Sequence, residues 1–89
     1  MARVHFASHI TRHVALPDCN VDAGTLRTAL EKVFALHPAA RGYVVDEQGH
    51  LRKHVTVFVD GVRVRDRVAL DDPVKPGSEI HVLQALTGG

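Results

Sequence analysis

The stretch HVTVFVDG, residues 54–61, carries the strongest secondary-structure signal in the chain. Its three valines alternate with His, Thr and Phe, which is the period of two of a strand with one buried face. Asp60-Gly61 follows at once and favours a tight hairpin turn, because both positions accept positive φ angles. We predict a strand over residues 54–59 and a return strand that begins at Val62.

Residues 26–37 have the pattern of an amphipathic helix. Apolar side chains recur every three or four positions and form one stripe, made of Leu26, Ala29, Leu30, Val33, Phe34 and His37. Thr25 can cap the first turn with its hydroxyl, and Pro38 cannot continue a helix. We predict one main helix between these two residues, with Arg27, Glu31 and Lys32 facing away from the core.

The remaining elements are shorter. Alternation over residues 4–8 and 13–16 predicts two strands joined as an N-terminal hairpin, followed by turn chemistry at residues 17–20. Residues 43–45 are expected to be extended, in a middle region with room for a short extra helix, and a last strand is expected over residues 79–86.

The predicted fold class is α+β: a mixed sheet of four to five strands packed on one main helix. Such a helix covers only one face of the sheet, so the other face meets solvent or a partner. The side chains expected to face the helix are Val55, Val57, Ile80 and Val82. Phe58, His81 and Leu83 are then expected on the opposite face, beside His5 and Ala7.

Size and composition exclude several functions. With 89 residues the chain is expected to form one domain, and little surface is left for a deep catalytic pocket. A single Cys permits no internal disulfide, and a net charge of +1 does not favour nucleic acid. No apolar run approaches the roughly 18 residues of a membrane span, so we expect a cytoplasmic protein without membrane contact. A carrier or binding module is favoured over an enzyme.

The sequence closes with Leu86-Thr87-Gly88-Gly89. We expect a domain over residues 1–86 and a flexible tail over 87–89. Glycine has no Cβ, so a chain end of this kind can enter a narrow site on another protein, where its carboxylate would need activation. The alternative is a frayed end without a role, since small residues are common at termini.

These elements, in this order and with this tail, resemble the ubiquitin-like β-grasp proteins, and more closely the MoaD/ThiS family of sulfur carriers. The resemblance implies that an E1-like enzyme adenylates Gly89 with ATP, while Gly88 gives access. It further implies a sulfurtransferase or persulfide donor that converts the group to a thiocarboxylate. An acceptor enzyme such as the large subunit of molybdopterin synthase would then take the sulfur, and the carrier itself would bind no cofactor.

Candidate partner-binding residues are Phe58, His81 and Leu83 on the sheet face opposite the helix. Leu86 and Thr87, which join the last strand to the terminal glycines, are two further candidates. Other readings stay open: a non-covalent ubiquitin-like interaction module, or a carrier for thiamine, cysteine or tRNA thiolation. A small enzyme that uses Cys19, expected in an exposed turn, is a third possibility. The seven histidines show no spacing typical of a metal site, and we expect none.

Overall fold

The computed structural model describes residues 1–6 and 18–84. Its main element is a five-stranded mixed sheet. In chain order the elements are β1 (Ala2–Phe6), β2 (Cys19–Val21), α1 (Leu26–Leu36), α2 (Pro38–Val44), β3 (Val55–Val59), β4 (Val62–Arg63) and β5 (Glu79–Gln84). The strand order is β2-β1-β5-β3-β4; β1 and β5 are parallel, and the other neighbours are antiparallel. The predicted α+β, ubiquitin-like β-grasp fold is confirmed.

The core lies between the sheet and α1. The helix contributes the predicted stripe except for His37, which follows its last residue and is only half-buried. The sheet contributes every second residue of its central strands. The largest fully buried side chains are Leu26, Leu30, Leu70, Ile80, Val4, Val33, Val44, Val55, Val57 and Val82. The predicted helix-facing residues of β3 and β5 are therefore confirmed as core.

The boundaries of α1 follow from its two ends. Thr25 has an extended backbone, and its hydroxyl accepts a hydrogen bond from the Thr28 amide at 3.3 Å. The helix ends at Leu36, one residue before the predicted end, and Pro38 occupies the first turn of α2. A proline suits that position because its missing N–H would have no partner there, so Pro38 both ends α1 and starts α2.

Removal of the α1 cap has a defined cost. Thr25→Ala is expected to lower the free energy of unfolding by about 1 kcal/mol, because the Thr28 amide loses its acceptor. Thr25→Ser keeps the hydroxyl and is the matched control. Urea denaturation of both variants checks this; equal stability of Thr25→Ala and wild type would show that the cap contributes nothing.

The β3–β4 turn also holds the start of β5. Asp60 and Gly61 have φ of 50° and 83°, as the turn signal predicts. The Asp60 carboxylate accepts the Glu79 amide at 2.9 Å and the Ser78 hydroxyl at 2.7 Å. These bonds, the one from the Glu79 amide foremost, lower the pKa of Asp60. A local turn residue thus holds the first residue of a strand that is 19 residues away in sequence.

Several predictions of local structure were wrong. Residues 19–21 form an edge strand with Ala2 opposite Val21, because pairing with β1 overrides the turn tendency of their polar neighbours. Residues 43 and 44 belong to α2, since Ala40 and Val44, one turn apart, are both buried. Arg27 does not point away: its guanidinium donates to the carbonyls of residues 49, 68 and 69. The strand predicted over residues 13–16 lies outside the described residues.

Candidate functional site

The sheet face opposite α1 carries the predicted partner-binding side chains. We call it the open face; its residues are Arg3, His5, Asn20, Thr56, Phe58, Glu79, His81 and Leu83. Phe58 and Leu83 are half-buried, although no element described in the structure covers them. The strand register places Phe58 opposite His81 and Thr56 opposite Leu83. The structure therefore brings the three described candidates into two adjacent cross-strand pairs.

His5 extends this row of side chains across the central strands. It pairs with His81 between β1 and β5, and the two imidazoles stack with centroids 4.7 Å apart and planes 17° from parallel. On the same face, opposite Leu83, the Thr56 hydroxyl is buried and has no hydrogen-bond partner among the described residues. The open face thus combines ring surfaces, an apolar side chain and an unused polar group, which is the mixture found at protein interfaces.

Two carboxylates hold the His5 ring. Its Nδ1 lies 2.9 Å from Asp18 Oδ2, and its Nε2 lies 2.9 Å from Glu79 Oε2. Ionised carboxylates only accept hydrogen bonds, so the two contacts are satisfied together when both ring nitrogens carry protons, which favours the imidazolium form. The bond to Glu79 raises the pKa of His5 most, partial burial opposes it, and Asp18 adds to the increase. No local sequence pattern indicates this clamp, because Asp18 and Glu79 are 13 and 74 residues from His5.

The clamp makes stability depend on pH. The folded-state pKa of His5 is raised, so its contribution is complete below the unfolded value of about 6.5 and is lost as the pH rises through the folded value. The side chain is 25% exposed, so we expect about 1 kcal/mol or less. Urea denaturation at about pH 6 and pH 8 should show a larger loss for wild type than for His5→Gln. Parallel pH dependence of the two proteins would contradict the clamp.

The central strand β5 directs the chain toward the predicted tail. Gln84, its last described residue, pairs with Val55, the first residue of β3. The four tail candidates, Leu86, Thr87, Gly88 and Gly89, lie outside the described residues, as does the proposed boundary between residues 86 and 87. What the structure supplies is the position of the strand that precedes them, between β1 and β3.

Cys19 is not an exposed turn residue, contrary to the prediction. It lies in β2 with its side chain toward the core and is 7% exposed. Burial, with a smaller effect of the Asp18 charge, raises the pKa of its thiol. A thiol of this kind is a poor nucleophile because the thiolate is disfavoured. The geometry therefore argues against the enzyme reading that depended on Cys19.

Two further observations bear on the functions excluded from composition. No helix within residues 1–6 and 18–84 has both the length and the apolar character needed to span a membrane. In the same part of the chain, no three His, Cys, Asp or Glu side chains are grouped closely enough to bind a metal ion.

Solved structures share the fold over nearly the whole chain. A chain of the Amycolatopsis orientalis BexX/CysO complex superimposes with a TM-score of 0.82 at 22% identity, covering 100% of both chains. SAMP1 from Haloferax volcanii gives 0.78 at 21% identity, with 99% of this chain and 98% of the other covered. A putative molybdopterin converting factor, subunit 1, from Pyrococcus furiosus gives 0.66 at 18% identity, with coverage of 96% and 97%.

Sequence comparison adds the family. A search of curated proteins gave no significant match. The model of the ThiS family, in contrast, matches residues 16–89, which include α1, β3, β5 and the terminal glycines. Since this match covers most of the chain, the chain belongs to the ThiS family, within the MoaD/ThiS group of sulfur carriers.

Proposed function

We propose that the protein carries sulfur as a thiocarboxylate on Gly89. The observation that supports this most is the ThiS family match, which continues through Gly88 and Gly89. In this role the protein is a cosubstrate of larger enzymes and needs no catalytic pocket of its own. Its place in a synthase complex would be that of a small subunit.

The proposed chemistry has two stages. An E1-like enzyme joins the Gly89 carboxylate to the α-phosphate of ATP, which forms an acyl adenylate and releases pyrophosphate. Sulfide then displaces AMP and leaves the thiocarboxylate without any change of oxidation state. With a persulfide donor, the terminal sulfur displaces AMP to give an acyl disulfide. A second thiol attacks the donor's sulfur, forms a disulfide with it and releases the thiocarboxylate.

Partner enzymes dock on the open face in this proposal. Phe58, His81 and Leu83 supply contact area next to the strand that leads to the tail, and Leu86 with Thr87 would form the neck that enters the partner. Gly88 lets the backbone pass a narrow entrance because it has no Cβ. The stacked His5 and His81 rings would border the contact.

For the acceptor we propose the large subunit of molybdopterin synthase. The support is the likeness to the Pyrococcus furiosus putative molybdopterin converting factor subunit, whose chain is spanned almost completely. Carriers for thiamine, cysteine or tRNA thiolation share the tail chemistry. Incubation of the thiocarboxylated protein with each acceptor enzyme and its sulfur-free substrate separates them, because only the cognate acceptor forms a sulfur-containing product.

The test of activation is ATP–pyrophosphate exchange by the E1-like enzyme encoded in the same genome. Exchange that depends on addition of this protein supports the proposal. If the enzyme binds the protein and no exchange occurs, the protein is a non-covalent ubiquitin-like interaction module instead. This result would also remove the need for a free Gly89 carboxylate.

A further inference from the structure

A cleft outside the open face is lined mainly by basic side chains. These are His50, Arg52, Lys53, His54 and Arg67, which we call the basic cluster. The cleft has a volume of about 510 Å³, and Asp46 contributes the acidic side chain of its lining. The Asp46 carboxylate accepts the amides of Gln48 and His50, so it is occupied within its own turn. Apart from the two histidines, three cations therefore face one anion.

Backbone carbonyls fix two of these cations in place. Arg67 donates through Nη2 to the carbonyls of Arg52 at 2.6 Å and Val55 at 2.5 Å, and Arg52 donates through Nε to Gly42 at 2.6 Å. A guanidinium has five N–H donors, so each keeps donors for an external acceptor. A side chain that is already ordered loses little entropy on binding. The cleft is thus prepared for an anionic group.

The position of the cleft connects it with the predicted tail. Lys53 and His54 directly precede β3, whose first residue pairs with Gln84 at the end of the described part of β5. Arg67 reaches the same end through its bond to the Val55 carbonyl. The basic cluster therefore lies near Gln84, the last described residue before the predicted tail, whereas Lys75 and Ser78 lie at the other end of β5.

We infer that the basic cluster binds an acidic protein segment of the E1-like enzyme beside the entrance that receives residues 85–89. The inference rests on the proposed function. A net charge of only +1 does not favour a nucleic acid, whereas a local excess of cations suits a few carboxylates. Attraction between such patches accelerates association and orients the carrier with its tail toward the site.

The test is the KM for this protein in ATP–pyrophosphate exchange. Lys53 is exposed and forms no hydrogen bond to another described residue, so Lys53→Glu is expected to fold normally. We expect its KM to rise about tenfold at low salt, and this difference to shrink at about 0.5 M salt as screening increases. Lys75→Glu makes the same change of net charge at the opposite end of β5 and should leave the KM within about twofold of wild type.

Three results would overturn the inference. The first is an equal KM for Lys53→Glu and Lys75→Glu. The second is a difference that high salt does not reduce. The third is a rise in the KM for ATP in place of the KM for the protein, which would assign the cleft to a phosphate group. Absence of exchange with wild type would instead refute the proposed function, and this inference with it.

Discussion

Deletion of Gly89 is expected to abolish activation by the E1-like enzyme while the fold stays intact. The shortened chain still ends in a glycine carboxylate, but its reach is reduced by about 3.3 to 3.6 Å. Displacement of a reacting group by about 1 Å can already cost 100-fold in rate, so exchange should fall by more than that. ATP–pyrophosphate exchange measures the loss.

Two controls distinguish a shorter tail from a loss of folding. Gly89→Ala keeps the length of the tail and adds a Cβ, so it should retain more exchange than the deletion variant. Urea denaturation should give the same midpoint for the deletion variant and wild type, since residue 89 lies well beyond Val82, the last core residue in the described part of the chain. Full exchange by the deletion variant would show that Gly89 is not the activated residue.

Phe58→Asp is expected to weaken binding to the E1-like enzyme by about 30-fold or more, which corresponds to the 2 kcal/mol typical of a central aromatic contact. The substitution places a charge in the middle of the open face, between β4 and β5. The Phe58 side chain is only half-buried and lies opposite His81, so the backbone pairing of β3 with β5 can persist in the variant. Calorimetry with the purified enzyme measures the change.

Two matched variants control for this experiment, one in the sheet and one in α1. Phe58→Leu keeps an apolar side chain and should stay within about threefold of wild type. Leu36→Asp introduces the same charge at a 64% exposed residue of α1, on the other side of the sheet, and should bind normally. If Leu36→Asp weakens binding as much as Phe58→Asp, the contact does not lie on the open face.

The local sequence pattern was enough to predict a strand, turn or helix wherever the pattern lies within that segment itself. The valine alternation of β3, the Asp60-Gly61 turn and the apolar stripe of α1 all depend on neighbours within a few residues, and the structure confirms them. Alternation also placed Phe58, His81 and Leu83 on one face, although their role in binding stays a prediction.

The features that the local pattern did not predict depend on contacts between residues far apart in the sequence. Residues 19–21 become a strand only because β1 offers an edge, and α2 needs the core to bury its two apolar side chains. The His5 clamp and the basic cluster each join segments from different parts of the chain. Only the fold shows which of these charged side chains meet.

The most direct test of sulfur transfer is the intact mass of the full-length protein after incubation with the E1-like enzyme, ATP and sulfide. We predict a gain equal to the replacement of one oxygen atom by sulfur, located on the peptide that contains Gly89 and absent without ATP. An unchanged mass with active enzyme, or a sulfur adduct on Cys19 in place of Gly89, would contradict the account.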